Sequence, residues 1–299
     1  MSYLNLLRSL PLQYHFSKAG ITIPIFLPPL VSFILSLVCG VGGVSGAFLL
    51  LPFQVSILNF TTPSVSATNH LFNCVAIPWG VYNYWRQGRL YTPLTLIISL
   101  GTLPGVVIGY FLRVSYFLKL KNFLLLVGLV LLIIGVKLFY DVILPPKKEA
   151  TFSHTPPRTL IFSFRKLSFE YSSHTYEVNP IMIYIIACVI GIVGGIYGIG
   201  GGAIMAPVLL AFFQLPAYVF AGATLFATFL TSVIGVIVYT IFGNGPDFLL
   251  GLLFGAGGGI GLYISAKLQK YFPQKLMRIL LAIIILFIAF RYIMKFFSS

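Results

Sequence analysis

Apolar residues run through this sequence in long stretches, without the short alternation of a half-buried strand or the single stripe of a surface helix. Residues 124–136 hold no ionisable side chain and are bracketed by Lys121 and Lys137. Residues 276–293 carry Arg278 and Arg291 near their ends and no charge between them. Runs near 20 residues match a hydrocarbon layer about 30 Å thick. The pattern predicts an all-α polytopic membrane protein with about eight transmembrane segments.

The breaks between runs set the organisation. A mixed, mildly basic tail covers residues 1–24. The first apolar block, 25–58, is too long for one span and is interrupted by Gly40, Gly42, Gly43, Gly46 and Pro52. Thr62 and Pro63 read as a cap and a helix opening. A second span covers about 67–85. Thr92 and Pro93 restart a helix by the same device, to about Leu112. Arg113, Lys119 and Lys121 read as a loop, and a fourth span ends near Tyr140. Residues 145–180 form a long polar segment and read as a linker. The order then begins again. A glycine-broken block covers 181–215, Pro216 opens a span to about Phe242, and residues 243–247 form a turn in which Asp247 starts the next helix. A glycine-rich span to about Ala266, a basic loop at 267–275 and a last span to about Met294 follow. The expected units are therefore the tail at 1–24, membrane repeat one at 25–144, the linker at 145–180 and membrane repeat two at 181–296.

The duplication is legible at a shift of 155 residues. Gly40, Gly43, Gly46 and Pro52 then meet Gly195, Gly198, Gly201 and Pro207. Gly80, Tyr84 and Gly88 meet Gly235, Tyr239 and Gly243. A small slip pairs Gly105 with Gly257 and Gly109 with Gly261. Internal repeats of this kind recur in secondary transporters. Each repeat is expected to open with a glycine-broken or re-entrant helix; simple alternation through eight spans would put both termini and the linker on one side, with the termini expected in the cytoplasm, and re-entrant blocks would change that assignment.

Composition agrees with the pattern. Of 299 residues, 59% are hydrophobic and 8% charged, and mean hydropathy is +1.01. That is too little polar surface to solubilise a globular domain. The net charge of +14 would suggest nucleic acid in a soluble protein. Here the cations lie beside apolar runs, so anionic membrane lipid is the expected partner and nucleic acid is not. Cys39, Cys74 and Cys188 have no metal-ligand spacing and read as small buried hydrophobes, so no metal or cofactor is expected. No removable signal peptide is read in the first 24 residues. No Walker-type Gly-x-x-x-x-Gly-Lys-Ser/Thr occurs, which excludes a primary pump in this chain alone.

The candidate site residues fall in two patterns. Repeat one reads Gly40-Val-Gly-Gly-Val-Ser-Gly-Ala to Pro52, and repeat two reads Gly194-Gly-Ile-Tyr-Gly-Ile-Gly-Gly-Gly to Pro207. Gly40, Pro52, Gly195 and Pro207 are the expected helix-breaking positions. A break inside a membrane exposes the amides of the following half-helix, which bind an anion without a positive side chain. Gly43, Ser45, Gly46, Gly198, Gly200, Gly201 and Gly202 are the substrate-lining candidates on that reading. Close helix packing through small residues is the alternative. The second pattern is a polar stripe. Asn69 and Asn73 are four apart and His70 adjoins them. The shift places Thr224 and Thr228 against the two asparagines, with Thr231 and Ser232 extending the stripe and Leu225 opposite His70. Substrate contact and interhelical hydrogen bonding both fit these residues. No Asp or Glu lies inside any run, so a carboxylate proton relay is not expected. A coupling ion, proton or sodium, would use carbonyls, hydroxyls or His70.

The paired glycine-rich blocks ending in proline resemble the TauE/SafE family of membrane proteins, the sulfite and sulfonate exporters. Gly198-Ile-Gly-Gly-Gly202 before Pro207 carries most of the resemblance. The pairs Gly105 and Gly109, Gly257 and Gly261 fit it too, over about residues 25–296. Ser45 and Ala47 stand where Gly200 and Gly202 stand, so repeat one departs from the pattern. The resemblance implies export or uptake of a small sulfur-containing anion, in the plasma (bacterial inner) membrane, by a protein that is not an enzyme. A homo-oligomer fits as well. The other readings are an anion channel and an intramembrane serine protease. For the latter, Gly43-Val44-Ser45-Gly46 resembles the rhomboid Gly-x-Ser-Gly and His70 would be the base.

Overall fold

The computed structural model describes residues 11–41, 46–143, 157–172, 174–213, 215–268 and 274–297. It is mostly helical. In chain order the helices are α1 (Leu27–Val41), α2 (Ala47–Ser56), α3 (Ser64–Ala76), α4 (Pro78–Arg86), α5 (Thr92–Ser115) and α6 (Leu120–Ile143). Then come α7 (Pro180–Tyr197), α8 (Gly201–Ala211), α9 (Ala217–Ile241), α10 (Phe248–Leu268) and α11 (Gln274–Phe297). Among the described residues, five helices are long and apolar enough to cross a membrane, while α1 and α2 are shorter apolar helices. Outward positions are as apolar as the core. Leu129, Ile133 and Val136 on α6 and Ile283, Phe287 and Phe290 on α11 are all exposed. A helix greasy on both faces is solvated by lipid, so the chain is a multi-pass membrane protein.

Five strands lie where the sequence pattern reads as tail and linker. Strands β1 (Gln13–Phe16) and β2 (Ile21–Pro24) form an antiparallel hairpin that turns through Gly20 at φ +66°. Its Phe16, Ile21 and Ile23 are buried in the main core. Strands β3 (Arg158–Phe162), β4 (Leu167–Tyr171) and β5 (His174–Val178) form an antiparallel sheet in that order. Leu167, Phe169 and Tyr171, two apart on β4, are all buried. Tyr171 stacks on Tyr218 at 5.2 Å and Phe169 meets Tyr91 at 5.1 Å, so the sheet seats on the first turns of α9 and α5. The hairpin seats at the opposite end, where the Ala19 amide donates to Asp247 Oδ2 at 3.2 Å beside the start of α10.

These two β elements define a hairpin face and a sheet face, and the helix directions follow. Helix α1 starts at the hairpin face, parallel to α10. A Cβ on Gly257 would meet the Pro29 carbonyl, and one on Gly261 would meet the Phe33 carbonyl four residues on. Helix α2 returns to the hairpin face, where Ser56 Oγ lies 2.6 Å from Tyr292 Oη near the end of α11. Helices α1 and α2 thus enter and leave on one side. Helix α7 starts at the sheet face, parallel to α5: Gly105 packs on Gly191, and Gly109 on Gly195. Helix α8 turns back antiparallel to α9, with Gly200 beside Ser232 and Gly202 beside Thr224. In both broken blocks the second helix runs back toward the face from which the first one starts, the two blocks starting from opposite faces. The linker therefore lies opposite the N-terminal hairpin and the end of α11.

Four expected boundaries shift. The breaks fall between α1 and α2 and at Gly198 and Gly200. Gly40, Pro52, Gly195 and Pro207 instead lie within α1, α2, α7 and α8. Gly198 and Gly200 hold φ +85° and +77°, the left-handed region that glycine tolerates. The span read at 67–85 is two helices, because Pro78 has no amide to continue α3. Helix α3 begins at Ser64 with no side-chain cap, and Thr62 contributes its carbonyl, not its hydroxyl, to the Val65 amide at 3.0 Å. Helix α5 likewise begins at Thr92 behind Tyr91, with no side-chain cap. Arg113, read as a loop residue, is in the last turn of α5 and is completely buried.

Candidate functional site

The start of α2 and the break between α7 and α8 come together inside the bundle, walled by α3 and α9. Proline shapes the first tip. Pro52 inside α2 has no N–H, so the carbonyl four residues earlier, at Phe48, loses its helical partner. Tyr197, the last residue of α7, donates its hydroxyl to that carbonyl at 2.8 Å. Glycine shapes the second tip. Gly198 caps α7 in the left-handed conformation, its amide bonding the Gly194 carbonyl at 2.8 Å. Gly200 then N-caps α8 without a side chain, and Gly46 does the same for α2. Neither cap residue supplies a side-chain oxygen to the first turn of its half-helix.

The polar stripe on α3 addresses both tips. Asn69 Nδ2 donates to the Ala47 carbonyl of the first hairpin at 3.2 Å, and its Oδ1 accepts from Gln54 Nε2 at 3.4 Å. Asn73 Nδ2 donates to the Ile199 carbonyl of the second hairpin at 3.0 Å and to Ser232 Oγ at 3.2 Å. One helical turn of α3 separates the two asparagines, so one face of α3 holds both hairpins. All of these side chains are buried. Three of their atoms have no partner: Gln54 Oε1, Asn73 Oδ1 and His70 Nε2. His70 Nδ1 lies 3.4 Å from Ser232 Oγ, while Nε2 has no partner. The imidazole packs on Gly235, where a Cβ would fall 2.7 Å from its Cδ2, and its ring lies 6.1 Å from that of Tyr239.

The threonines behave differently from the asparagines. Thr224 and Thr228 turn their hydroxyls back onto the carbonyls of Ala221 and Thr224, at 3.1 and 2.8 Å. Their contribution at the crossing is the surface that Gly200 and Gly202 pack against. Gly201 lies against Thr102 of α5. These glycines therefore serve close packing and the break together. Gly43 and Ser45 lie outside the described residues. The hydroxyl that His70 meets in the described structure belongs to Ser232.

Three buried groups escape a reading of the sequence. Gln54 is a single polar residue in an apolar helix. Ser66 Oγ donates to the Ile196 carbonyl at 2.8 Å, holding the end of α7. Tyr239 Oη donates to the Gly195 carbonyl at 2.9 Å, and its pairing with Tyr84 in the duplication was the only signal for it. A separate cleft of about 450 Å³ opens on the hairpin face between Tyr14–Lys18 and the turn around Gly243–Asp247.

Known proteins resemble this chain over most of its length. It is 29% identical over 192 residues to the probable membrane transporter protein YunE of Bacillus subtilis (strain 168), covering 63% of this chain and 67% of that one. It is 23% identical over 255 residues to the probable membrane transporter protein YjnA of the same organism, covering 83% and 91%. No solved structure matches. The model of the sulfite exporter TauE/SafE family matches residues 29–292, nearly the whole of the helical bundle, and the chain belongs to that family of membrane transporters.

Proposed function

We propose that the chain is a secondary transporter that exports a small anion, a sulfur oxyanion or organosulfonate, by alternating access at the hairpin crossing. One observation carries the reading: two re-entrant hairpins, entered from opposite faces, meet tip to tip and are tied by Tyr197 and Phe48. Half-helices that end at mid-membrane present backbone amides and dipoles where a substrate can be reached from either side. His70 Nε2, a donor to an anion in one tautomer, and Asn73 Oδ1, an acceptor that suits the coupling cation, stand beside that crossing without partners. Gly46, Gly198, Gly200, Gly201 and Gly202 supply the backbone, and Asn69, Thr224 and Thr228 hold its walls. Gly43 and Ser45 belong to the same element by sequence.

The reading also takes the bundle as two inverted repeats, about eight segments in all when each hairpin is counted once. Several reciprocal contacts support it. Gly80 packs on Leu225, and Gly235 packs on His70, which is Leu225's counterpart at the 155-residue shift. The turns after α4 and α9 repeat bond for bond. Gly88 and Gly243 have positive φ, with amides bonded to Trp85 and Thr240; the next amides bond Tyr84 and Tyr239. Gly105 and Gly109 of α5 pack on α7, and their counterparts Gly257 and Gly261 of α10 pack on α1. The transporter sits in the bacterial inner membrane with anionic lipid around it, and uses a proton or sodium ion for coupling. A homo-oligomer is compatible with it.

Uptake into sealed proteoliposomes tests the function, with sulfite, sulfate, thiosulfate, methanesulfonate and a carboxylate under imposed ion gradients of both signs. Saturable flux of at least one sulfur anion is expected. Flux of none under any gradient ends the proposal, and non-saturating, voltage-driven current replaces it with a channel.

A further inference from the structure

Arg113 is a buried cation that the crossing does not use. It lies two residues before the end of α5, near the hairpin face, and is completely buried. Its Nη1 donates to the Phe117 carbonyl at 2.6 Å, and its guanidinium carbon stands 3.9 Å over the Phe123 ring. Those contacts hold one nitrogen and one face of the guanidinium. Nε and Nη2 have no partner, and among the described residues no carboxylate lies within ion-pair distance. Removing a guanidinium from water is costly, and one carbonyl with one ring offsets only part of the cost.

The chemistry of the free edge is specific. Nε and Nη2 lie on the same side of the guanidinium, with parallel N–H bonds. That edge grips two oxygens of one oxyanion bidentately, a fit that a single spherical ion lacks. One residue connects Arg113 with the hairpin crossing. Tyr239 is in electrostatic range of Arg113, bonds the Gly195 carbonyl of α7, and its ring faces His70. On the outer side, exposed Lys119 and Lys121 flank the turn that carries Phe117. Such charges raise the local concentration of anions.

We propose that the Nε/Nη2 edge of Arg113 is an oxyanion-binding site, a second station for the transported anion between the hairpin face and the crossing. The proposal rests on the anion-transport reading for its occupant. It selects anions with two oxygens on one centre, such as sulfite, sulfate, sulfonates or phosphate, over halides.

The test begins with the full-length wild-type chain in detergent and needs no variant. Phenylglyoxal labelling of Arg113, read by mass spectrometry, is measured in sulfate, methanesulfonate, phosphate or chloride at equal ionic strength. The oxyanions should protect Arg113, and chloride should not. Equal protection by chloride, or none by any oxyanion, overturns the site. Arg113→Lys keeps the charge but loses the fork. Its sulfate affinity, read as a thermal shift, should fall about tenfold or more; unchanged affinity in a folded Arg113→Lys overturns the site. Nanodiscs separate the sources. Protection by phosphatidylglycerol without added anion, absent in phosphatidylcholine, assigns the edge to a lipid phosphate and overturns the free-anion station. The two readings fail separately. Oxyanion protection of Arg113 without flux keeps the site and sinks transport, whereas wild-type KM in Arg113→Lys and Arg113→Gln proteoliposomes sinks the station and keeps transport.

Discussion

The hydroxyl of Tyr197 donates to the carbonyl of Phe48 at 2.8 Å, joining two hairpin tips that are 149 residues apart in the chain. The acceptor is available because Pro52 cannot donate to it. Tyr197→Phe should leave that buried carbonyl unpaired and cost about 1–3 kcal/mol, read as a lower thermal midpoint of the purified protein. Pro52→Ala supplies a competing amide to the same carbonyl. In the Tyr197→Phe background it should therefore recover part of the loss, while alone it should not stabilise. Additive effects of the two substitutions would show that the carbonyl is not shared.

Asn69 and Asn73 look equivalent in the sequence and are not equivalent in space. Asn69 has both ends of its amide engaged, by Ala47 and Gln54. Asn73 keeps Oδ1 without a partner at the crossing. Asn69→Leu should act on stability, lowering the thermal midpoint with little change in KM for the transported anion. Asn73→Leu should instead raise the half-saturating concentration of the coupling cation about tenfold or more, because a free amide oxygen accepts and so fits a cation or a proton donor, not an anion's oxygen. Flux kinetics in proteoliposomes read both. A larger KM effect at Asn69 would place the substrate on the first hairpin.

The stripe was legible because a four-residue spacing puts Asn69 and Asn73 on one helix face whatever surrounds them. The interrupted blocks were legible as glycine clusters, but the exact breaks were not. Pro52 reads as a stop, and its helix continues because another segment satisfies the carbonyl that it frees. The strands at 158–178 were hidden by composition. Leu167, Phe169 and Tyr171 do alternate, but Arg165, Lys166, Glu170 and Glu177 around them read as a polar linker. Arg113 was hidden by its neighbours, since an arginine six residues before Lys119 reads as part of a basic loop. Burial of a charge is a tertiary property, set here by Phe123 and Tyr239 from other helices. Side assignment was not legible for a reason of counting: a hairpin that returns to its own face contributes no crossing.

Glycines at helix contacts make a graded test of the packing. A Cβ on Gly105 of α5 would meet the Cys188 carbonyl and fall 2.8 Å from the Gly191 Cα, both backbone of α7. Backbone cannot rotate away, so Gly105→Ala should cost about 1–3 kcal/mol by overpacking and lower the yield of monodisperse protein. Gly259 of α10 is the control, since its nearest neighbour would be 3.6 Å away, an ordinary contact. Gly259→Ala should keep the wild-type midpoint or raise it slightly, because alanine favours helix. Equal tolerance at both positions would mean that α5 and α7 do not pack this closely.

The re-entrant hairpins make a prediction about sidedness that plain alternation does not. Because α1 with α2 and α7 with α8 each return to their starting face, the linker must lie opposite both the N-terminal hairpin and the end of α11. Residues 86–89, 137–166 and 267–278 join helices at the sheet face and carry 12 of the 19 Lys and Arg residues. Basic excess marks the cytoplasmic side, so the sheet face should be cytoplasmic and the hairpin face external. Ser17 in the N-terminal hairpin and Ser163 between β3 and β4 are both exposed. In a background with Cys39, Cys74 and Cys188 replaced, Ser17→Cys should react with a membrane-impermeant maleimide in right-side-out vesicles. Ser163→Cys should react only after permeabilisation. The reverse result would invert the orientation and leave the architecture standing. Labelling of both from one side would remove the re-entrant hairpins, and with them the mid-membrane crossing on which the transport reading depends.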